Sequence, residues 1–322
     1  MKRYILGVVS LLSVLNATAQ LKPQYQLERA KAQEVKSEFV TTLNPDIPTS
    51  VTFAGEKVSF DRLDMADRLD RELTSIIYAH TSTLLCIKRA NRYFPALSKI
   101  LREQNIPQDF LYLACTESTM DPLAYSPAAA AGTWQLLAAT GRQYGLQVDD
   151  EVDERYDPER STVAACKYLK AAYARYGNWA TVAASYNAGM GRITSELGKQ
   201  GQKTSFDLYL NQETSRYVFR IIAFKLFMEE PQKYGYRIKR KHLYQPVGYT
   251  TENVTASVDS WVDWAKAHNI TYAQLREANP WIRASKLTNK SGKTYKVRIP
   301  IGDDLYRSKR KFTVYNAKWV ID

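Results

Sequence analysis

Apolar residues recur every three or four positions along most of the first 235 residues, which is the period of amphipathic α-helices. One apolar stripe includes Leu63, Ala66 and Leu69, and a second includes Phe94 and Leu97. The pattern predicts helices within 60–104, from about 107 to 118, from 157 to 177, from 179 to 185 and from 213 to 230. This part of the chain is therefore expected to be mainly α.

The helix that starts near residue 107 carries a carboxylate on its apolar face. Phe110, Leu113, Ala114 and Glu117 fall at positions i, i+3, i+4 and i+7. A carboxylate among apolar neighbours loses hydration, so its pKa should rise, as a general acid requires. The alternative is a helix-end glutamate that pairs with an arginine or caps a neighbouring helix.

The pattern changes after residue 235. A basic run, 237–241, precedes a strand at 254–258, helices at 260–268 and 270–275, and a closing strand at 295–300. The order strand, helix, helix, strand predicts a small α+β module. We expect six segments: a signal peptide (1–19), an N-terminal arm and helix (20–75), a helical domain (76–235), a basic linker (236–252), the module (253–300) and a basic tail (301–322).

Composition and the amino terminus predict an exported protein. Lys2 and Arg3 precede an apolar run, and Ala17-Thr-Ala19 forms a small-x-small cleavage site. The formal net charge is +12, and it is +10 once Lys2 and Arg3 leave with the signal peptide. A basic exported protein suits an anionic polymer and argues against a nucleic-acid partner. Three widely separated histidines give no metal-ligand spacing, so no metal is expected.

The three cysteines limit the redox chemistry. None follows the signal peptide closely enough to carry a lipid anchor, because the first is Cys86. Cys115 and Cys166 lie on predicted helices and suit small buried hydrophobic side chains. A Cys115–Cys166 disulfide is the alternative, and the sequence does not supply the geometry that would decide it.

Several motifs occur in a fixed order and together resemble a known enzyme family. They are Glu117-Ser118, Ala124-Tyr-Ser126, Gly132-Thr-Trp-Gln135, Ala183-Ala-Ser-Tyr-Asn187-Ala-Gly189 and Glu213-Thr-Ser-Arg-Tyr217-Val218. This set resembles the lysozyme-like catalytic domain of soluble-type lytic transglycosylases over roughly residues 50 to 235. The C-terminal module resembles a degenerate LysM carbohydrate-binding module. Ala256-Ser-Val-Asp259 replaces the usual opening of that module, so a purely structural appendage is the alternative.

The resemblance implies cleavage of peptidoglycan glycan strands by a single carboxylate without a cofactor. Glu117 would act first as the acid and then as the base, because no convincing second acid accompanies it and Asp121 looks like a helix cap. The product would be a 1,6-anhydro-N-acetylmuramic acid end, formed without water. The resemblance also implies contacts to the sugar or closure of the cleft by further residues: Ser126, Gln135, Tyr186, Asn187, Glu213 and Tyr217.

The chain departs from the family at Ala129, where glycine is usual. A positive φ at Ala129 would strain the loop. Two other functions stay open: a hydrolytic muramidase on the same fold, and a non-catalytic peptidoglycan-binding protein. We expect a monomeric periplasmic protein. Peripheral attachment to the wall or membrane, and recruitment by cell-wall or secretion machinery, are further hypotheses.

Overall fold

The computed structural model describes residues 43–322, so the predicted signal peptide and residues 20–42 of the N-terminal arm and helix lie outside the described residues. The described chain is mainly helical up to residue 234 and ends in a small α+β module, which confirms the predicted fold class. Between residues 43 and 322, no helix combines the length and hydropathy needed to cross a membrane.

A β-hairpin precedes the helices. Strand β1 (Ser50–Phe53) pairs antiparallel with β2 (Glu56–Ser59). Ala54 and Gly55 connect them with φ values of 52° and 85°, the positive angles typical of a two-residue hairpin turn. The fully buried Phe53 ring packs on Phe110, with 5.8 Å between ring centroids. The sequence analysis did not predict this hairpin, which covers one end of the helix that carries Glu117.

Eight helices follow in chain order: α1 (Leu63–Tyr78), α2 (His80–Glu103), α3 (Phe110–Ser118), α4 (Ala138–Gln143), α5 (Pro158–Tyr176), α6 (Trp179–Ala188), α7 (Met190–Gln200) and α8 (Gln212–Glu229). Local sequence sets several ends. Asp157 caps α5 by accepting from the backbone N–H groups of the next turn, and Gly177 ends α5 in a left-handed conformation. Asn211 caps α8 by accepting from the Thr214 backbone N–H at 3.0 Å.

Helix α3 lies in the middle of the helical core. Its Phe110, Leu113 and Ala114 side chains are fully buried. Helix α8 packs against α1, α3 and α6. Side chains from these neighbouring helices can therefore meet at the end of α3. The Asp109 carboxylate before α3 does not cap the helix. It accepts hydrogen bonds from the Ala54 backbone and the Lys225 ammonium, at 2.7 and 2.9 Å, and so ties the hairpin to α8.

The C-terminal module has its own core of aromatic and aliphatic side chains, including Trp261, Trp281 and Tyr295. Strand β3 (Tyr249–Val254) pairs antiparallel with β4 (Tyr295–Pro300), and helices α9 (Trp261–Ala267) and α10 (Tyr272–Ala278) lie between them in sequence. The first strand therefore ends at Val254, where the sequence analysis had started it.

The basic segment and the tail pack on the helical core. Ile238 and Leu243 of the expected linker are buried, while its basic side chains are exposed. Trp319 of the tail is 1% exposed, and its indole N–H donates to the Met228 carbonyl at 2.6 Å. The tail also contacts α2: the Tyr315 and Trp319 rings pack on the Phe94 ring, with centroids 5.3 and 5.8 Å apart.

All three cysteines are buried and free. The Cys115–Cys166 disulfide that the sequence left open is absent, and the Cys115 thiol lies beside Cys86 instead. Burial, with the neighbouring Cys86, raises the pKa of the Cys115 thiol well above its ordinary value, so both act as packing groups.

Candidate active site

Glu117 lies in the last turn of α3, where the helix reaches the surface of the core. Its side chain is partly exposed, although three residues on the same helix face are fully buried. The Tyr217 hydroxyl, from α8, donates a hydrogen bond to Oε1 of Glu117. One end of the carboxylate is thus fixed by protein, while part of the side chain still meets solvent.

The surroundings of Glu117 raise its pKa from 4.5 to about 7. Burial is the largest cause, because the charged form loses water. The hydrogen bond from Tyr217 and the positive charge of Arg220 lower the pKa, and the negative charge of Glu213 raises it. A carboxyl with this pKa can donate a proton near neutrality and accept one in the next step.

Two tyrosines near Glu117 remain protonated. Burial raises the pKa of Tyr217 well above its ordinary value, and the charge of Glu117 adds to this effect. Burial raises the pKa of Tyr186 in the same way. The Tyr186 hydroxyl donates to the Trp134 carbonyl at 2.8 Å, which joins α6 to the loop after α3. Both hydroxyls therefore act as hydrogen-bond donors.

The turn that follows Glu117 has an uncommon backbone. Thr119 and Met120 both have positive φ values, 50° and 60°, without being glycine. Arg89 from α2 holds this turn by donating to the Thr119 hydroxyl and to the Asp121 carboxylate, the latter at 2.7 Å. Asp121 is therefore not the helix cap that the sequence suggested. It accepts from the Leu123 backbone N–H within a turn and pairs with Arg89, so it is not a free second acid.

The loop between α3 and α4 is held by its own polar side chains. The Gln135 amide donates to the carbonyls of Ala124 and Gly132, at 3.1 and 3.0 Å. The Ser126 hydroxyl accepts from the Ala130 backbone N–H at 3.1 Å. The structure thus places Ser126 and Gln135 in one loop, where each has a structural contact.

A buried arginine binds two backbone carbonyls of this loop. Arg155 donates to the carbonyls of Ala129 and Leu136, at 2.8 and 3.0 Å, and pairs with Asp153 at 2.7 Å. A Cβ on Gly132 would lie 1.9 Å from the Arg155 carbonyl oxygen, so only glycine fits there. Ala129 has a φ of 59°, which is the positive angle that the sequence analysis associated with strain.

The remaining predicted site residues come from α6 and α8. The Asn187 side-chain oxygen accepts from the Thr214 hydroxyl at 2.9 Å, which leaves its amide nitrogen as a donor. Glu213 is exposed in the first turn of α8, and its charge reaches Glu117. The structure therefore brings Glu117, Tyr186 and Tyr217 together from three helices. Asn187 contacts Thr214 at the start of α8, and Glu213 is exposed in the same turn.

Sequence reasoning missed the charged groups behind the site. Glu72 of α1 is 1% exposed and binds Arg216 and Arg220 of α8. Its position offered a signal, because Glu72 lies between Leu69 and Leu73 on an apolar helix face, as Glu117 does on its own face. Over residues 43–322, no group of three or more acidic, histidine or cysteine side chains is arranged to hold a metal ion.

Family models match two parts of the chain. Residues 95–208 match the transglycosylase SLT domain, a range that includes Glu117 and ends before Glu213 and Tyr217. Residues 250–303 match the C-terminal LysM-like domain of soluble lytic transglycosylases, and this match begins one residue after β3 does.

Individual proteins and solved structures are also similar to parts of the chain. Membrane-bound lytic murein transglycosylase D of Escherichia coli K12 is 34% identical over 184 residues, which are 53% of this chain and 40% of that protein. The chain thus matches less than half of that relative's length. Among solved structures, the 70 kDa soluble lytic transglycosylase of Escherichia coli covers 42% of this chain and matches over 24% of its own, with 24% identity and a TM-score of 0.38. An inactive mutant of lytic transglycosylase Slt from Pseudomonas aeruginosa covers 51% of this chain and matches over 28% of its own, with 22% identity and a TM-score of 0.40.

The matched segments fall within the two parts of the described fold. The first contains the carboxylate of raised pKa and the loop between α3 and α4, and the second contains the paired strands β3 and β4. The chain therefore carries a transglycosylase SLT domain over residues 95–208 and a soluble lytic transglycosylase C-terminal LysM-like domain over residues 250–303.

Proposed function

We propose that this protein is a peptidoglycan lytic transglycosylase that cleaves the β-1,4 bond between N-acetylmuramic acid and N-acetylglucosamine. One observation carries the proposal: Glu117 has a pKa of about 7, and Tyr217 holds its carboxylate at the end of α3. The same single group can therefore give a proton and then take one within the pH range in which the enzyme would work. The matched SLT domain supports the same reaction.

In the first step, protonated Glu117 would donate its proton to the glycosidic oxygen as the bond to muramic acid C1 breaks. The substrate's own 2-acetamido group would stabilise the positive charge that develops at C1. The Tyr217 hydroxyl stays protonated, so it can stabilise the new Glu117 carboxylate by the hydrogen bond already present.

In the second step, the Glu117 carboxylate would take the proton from the C6 hydroxyl of the same muramoyl ring. The C6 oxygen then bonds to C1 and gives the 1,6-anhydro end, while Glu117 is again protonated. The balance needs no water and no second carboxylate. Asp121 fits this scheme, because its ion pair with Arg89 occupies it elsewhere.

Other residues would hold the glycan strand in the cleft. The amide nitrogen of Asn187 is oriented by its bond to Thr214, so it is our choice for a donor to a sugar acetamido or hydroxyl oxygen. Tyr186 would fix the Trp134 carbonyl and the loop, and Ser126 and Gln135 would shape the loop that meets the sugar. Glu213, exposed at the start of α8, would close the rim.

The localisation and the module belong to the same proposal. We infer an exported, periplasmic protein from the predicted signal peptide and the basic net charge. The LysM-like module would keep the enzyme on the glycan, and its altered opening at 256–259 makes its sugar affinity a separate test.

Mass spectrometry of fragments released from purified peptidoglycan tests the proposal. The protein lacking residues 1–19 should release muropeptides that are lighter by one water and whose anhydro ends resist borohydride reduction. Glu117→Gln should abolish release, while Glu103→Gln, at an exposed carboxylate of α2, should not. Reducible ends would identify a hydrolase instead, and binding to sacculi without release would identify a non-catalytic binding protein.

A further inference from the structure

Helix α1 presents a buried carboxylate to two arginines of α8. Glu72 is 1% exposed, and its two oxygens accept separate hydrogen bonds. Arg216 Nε lies 2.5 Å from Oε1, and Arg220 Nε lies 2.8 Å from Oε2. The two arginine side chains are 21% and 29% exposed, so both remain in partial contact with solvent. Glu72 thus fixes the direction in which both guanidinium groups point.

Arg220 is the cation that acts on Glu117. The groups that affect the Glu117 carboxylate come from two neighbouring helices. Helix α8 contributes Arg220, Glu213 and the Tyr217 hydroxyl, and α6 contributes the Tyr186 hydroxyl. Within residues 43–322, however, Arg220 forms its ion pair with Glu72, and no ion pair joins it to Glu117.

A guanidinium that was free to turn would bind the nearest carboxylate. An opposite charge within about 4–6 Å lowers the pKa of a carboxyl group by about 1–3 pH units. With its pKa lowered by that amount, Glu117 would be ionised near neutrality and would have no proton to give to the glycosidic oxygen. The arrangement therefore needs a group that holds Arg220 elsewhere.

We propose that Glu72 is a positioning residue that holds Arg220 through its buried ion pair and so keeps Glu117 free of a salt bridge and able to donate its proton. This inference rests on the proposed function for its catalytic readout. The hydrogen bonds and ion pairs of the Glu72 carboxylate within residues 43–322 are to Arg216 and Arg220, so it acts on Glu117 through Arg220. It also accounts for a fully buried charge whose replacement by apolar packing would otherwise serve the fold equally well.

The first test is the pH profile of muropeptide release at low peptidoglycan concentration, where the initial rate is proportional to kcat/KM. Glu72→Gln keeps the side-chain shape and removes the charge, so Arg220 should turn toward Glu117. The pH above which the rate falls should therefore be lower by about 1 pH unit or more. The rate would then stay near wild type at pH 5 and fall about tenfold at pH 8. A loss that is equal at both pH values would overturn the proposal, since it would reflect damaged structure alone.

Arg220→Gln is the opposite perturbation. Glu72 keeps Arg216, and Glu117 loses its nearby cation, so the high-pH limb should move up. The double variant Glu72→Gln/Arg220→Gln should resemble Arg220→Gln and not Glu72→Gln, because no guanidinium remains to turn. If the double variant kept the downward movement of the limb, Glu72 would not act through Arg220 and the proposal would fall.

A second readout does not depend on activity. The free energy of unfolding of Glu117→Gln, compared with its parent at pH 4 and pH 8, reports the Glu117 pKa. The comparison is repeated with Glu72→Gln in both proteins. A smaller difference between the two pH values in that background supports the proposal even if no glycan is cleaved, and an unchanged difference overturns it even if cleavage is normal. Failure of the proposed function and failure of this inference are thereby separate results.

Discussion

The raised pKa of Glu117 predicts that the wild-type carboxylate destabilises the protein at neutral and alkaline pH. The folded state holds the Glu117 proton up to about pH 7, whereas the unfolded chain releases it near its ordinary pKa of 4.5. Between these values the folded state binds more protons, so stability falls as pH rises. At 1.36 kcal/mol per pH unit, the interval corresponds to about 3 kcal/mol.

Glu117→Gln removes this titration and keeps an acceptor for the Tyr217 hydroxyl. We expect the variant to gain about 2–3 kcal/mol over wild type at pH 8, relative to their difference at pH 4, with the lower figure reflecting water at the exposed part of the side chain. Below pH 4.5 the two proteins should differ little in this respect, because Glu117 is protonated in both states. The gain should appear between pH 4.5 and 7.

Urea unfolding followed by circular dichroism, with the protein lacking residues 1–19, measures this difference. Comparing two variants at each pH cancels the titration of all other groups. Glu103→Gln, at an exposed carboxylate, is the matched control and should show less than about 0.5 kcal/mol of pH-dependent difference. If Glu117→Gln behaves like that control, Glu117 titrates as an ordinary glutamate and the argument from burial is refuted.

Three further predictions concern the same site. Tyr217→Phe removes the donor that stabilises ionised Glu117. The pH above which muropeptide release slows should therefore be higher by about 1 pH unit, measured as kcat/KM against pH. Ala129→Gly relieves an exposed left-handed residue and should raise the free energy of unfolding by about 0.5–1 kcal/mol; a loss of stability would show that φ is not strained there. Gly132→Ala should cost about 3 kcal/mol or more in urea unfolding because a backbone carbonyl oxygen lies 1.9 Å from the new Cβ, whereas Gly177→Ala, with positive φ and open space, should cost only about 1 kcal/mol.

Helix positions followed from local sequence, because the signals that set them are local. The prediction that α5 starts at Asp157-Pro158 and ends at Gly177 is confirmed, since a side-chain cap and a left-handed glycine act within one turn. The β1–β2 hairpin escaped prediction for the opposite reason. Its strands have four residues each, and its stability depends on distant partners, such as the Phe110 ring and the Asp109 carboxylate.

The basic linker and the basic tail are further segments whose position depends on distant contacts and not on local sequence. The sequence analysis expected a basic linker at 236–252 and a basic tail at 301–322, and most of their lysine and arginine side chains are exposed. Single apolar residues within those segments decide the path instead, because Ile238 and Trp319 are buried in the helical core. A lone apolar residue in a charged run has no period, so sequence patterns cannot identify it as a core residue.

Two carboxylates on apolar helix faces show why the function of a side chain cannot be assigned without its tertiary contacts. Glu72 and Glu117 both lie on apolar helix faces, and the sequence supports the same two interpretations for each: a pair with arginine, or an acid of raised pKa. The structure gives Glu72 two guanidinium partners and gives Glu117 a tyrosine hydroxyl. Helix α8 supplies all three groups within two turns: both guanidinium groups bind Glu72, and the tyrosine hydroxyl binds Glu117. Burial raises the pKa of Glu117, and Tyr217 and Arg220 of α8 lower it, so its protonation state depends on tertiary contacts that no pattern within α1 or α3 alone contains.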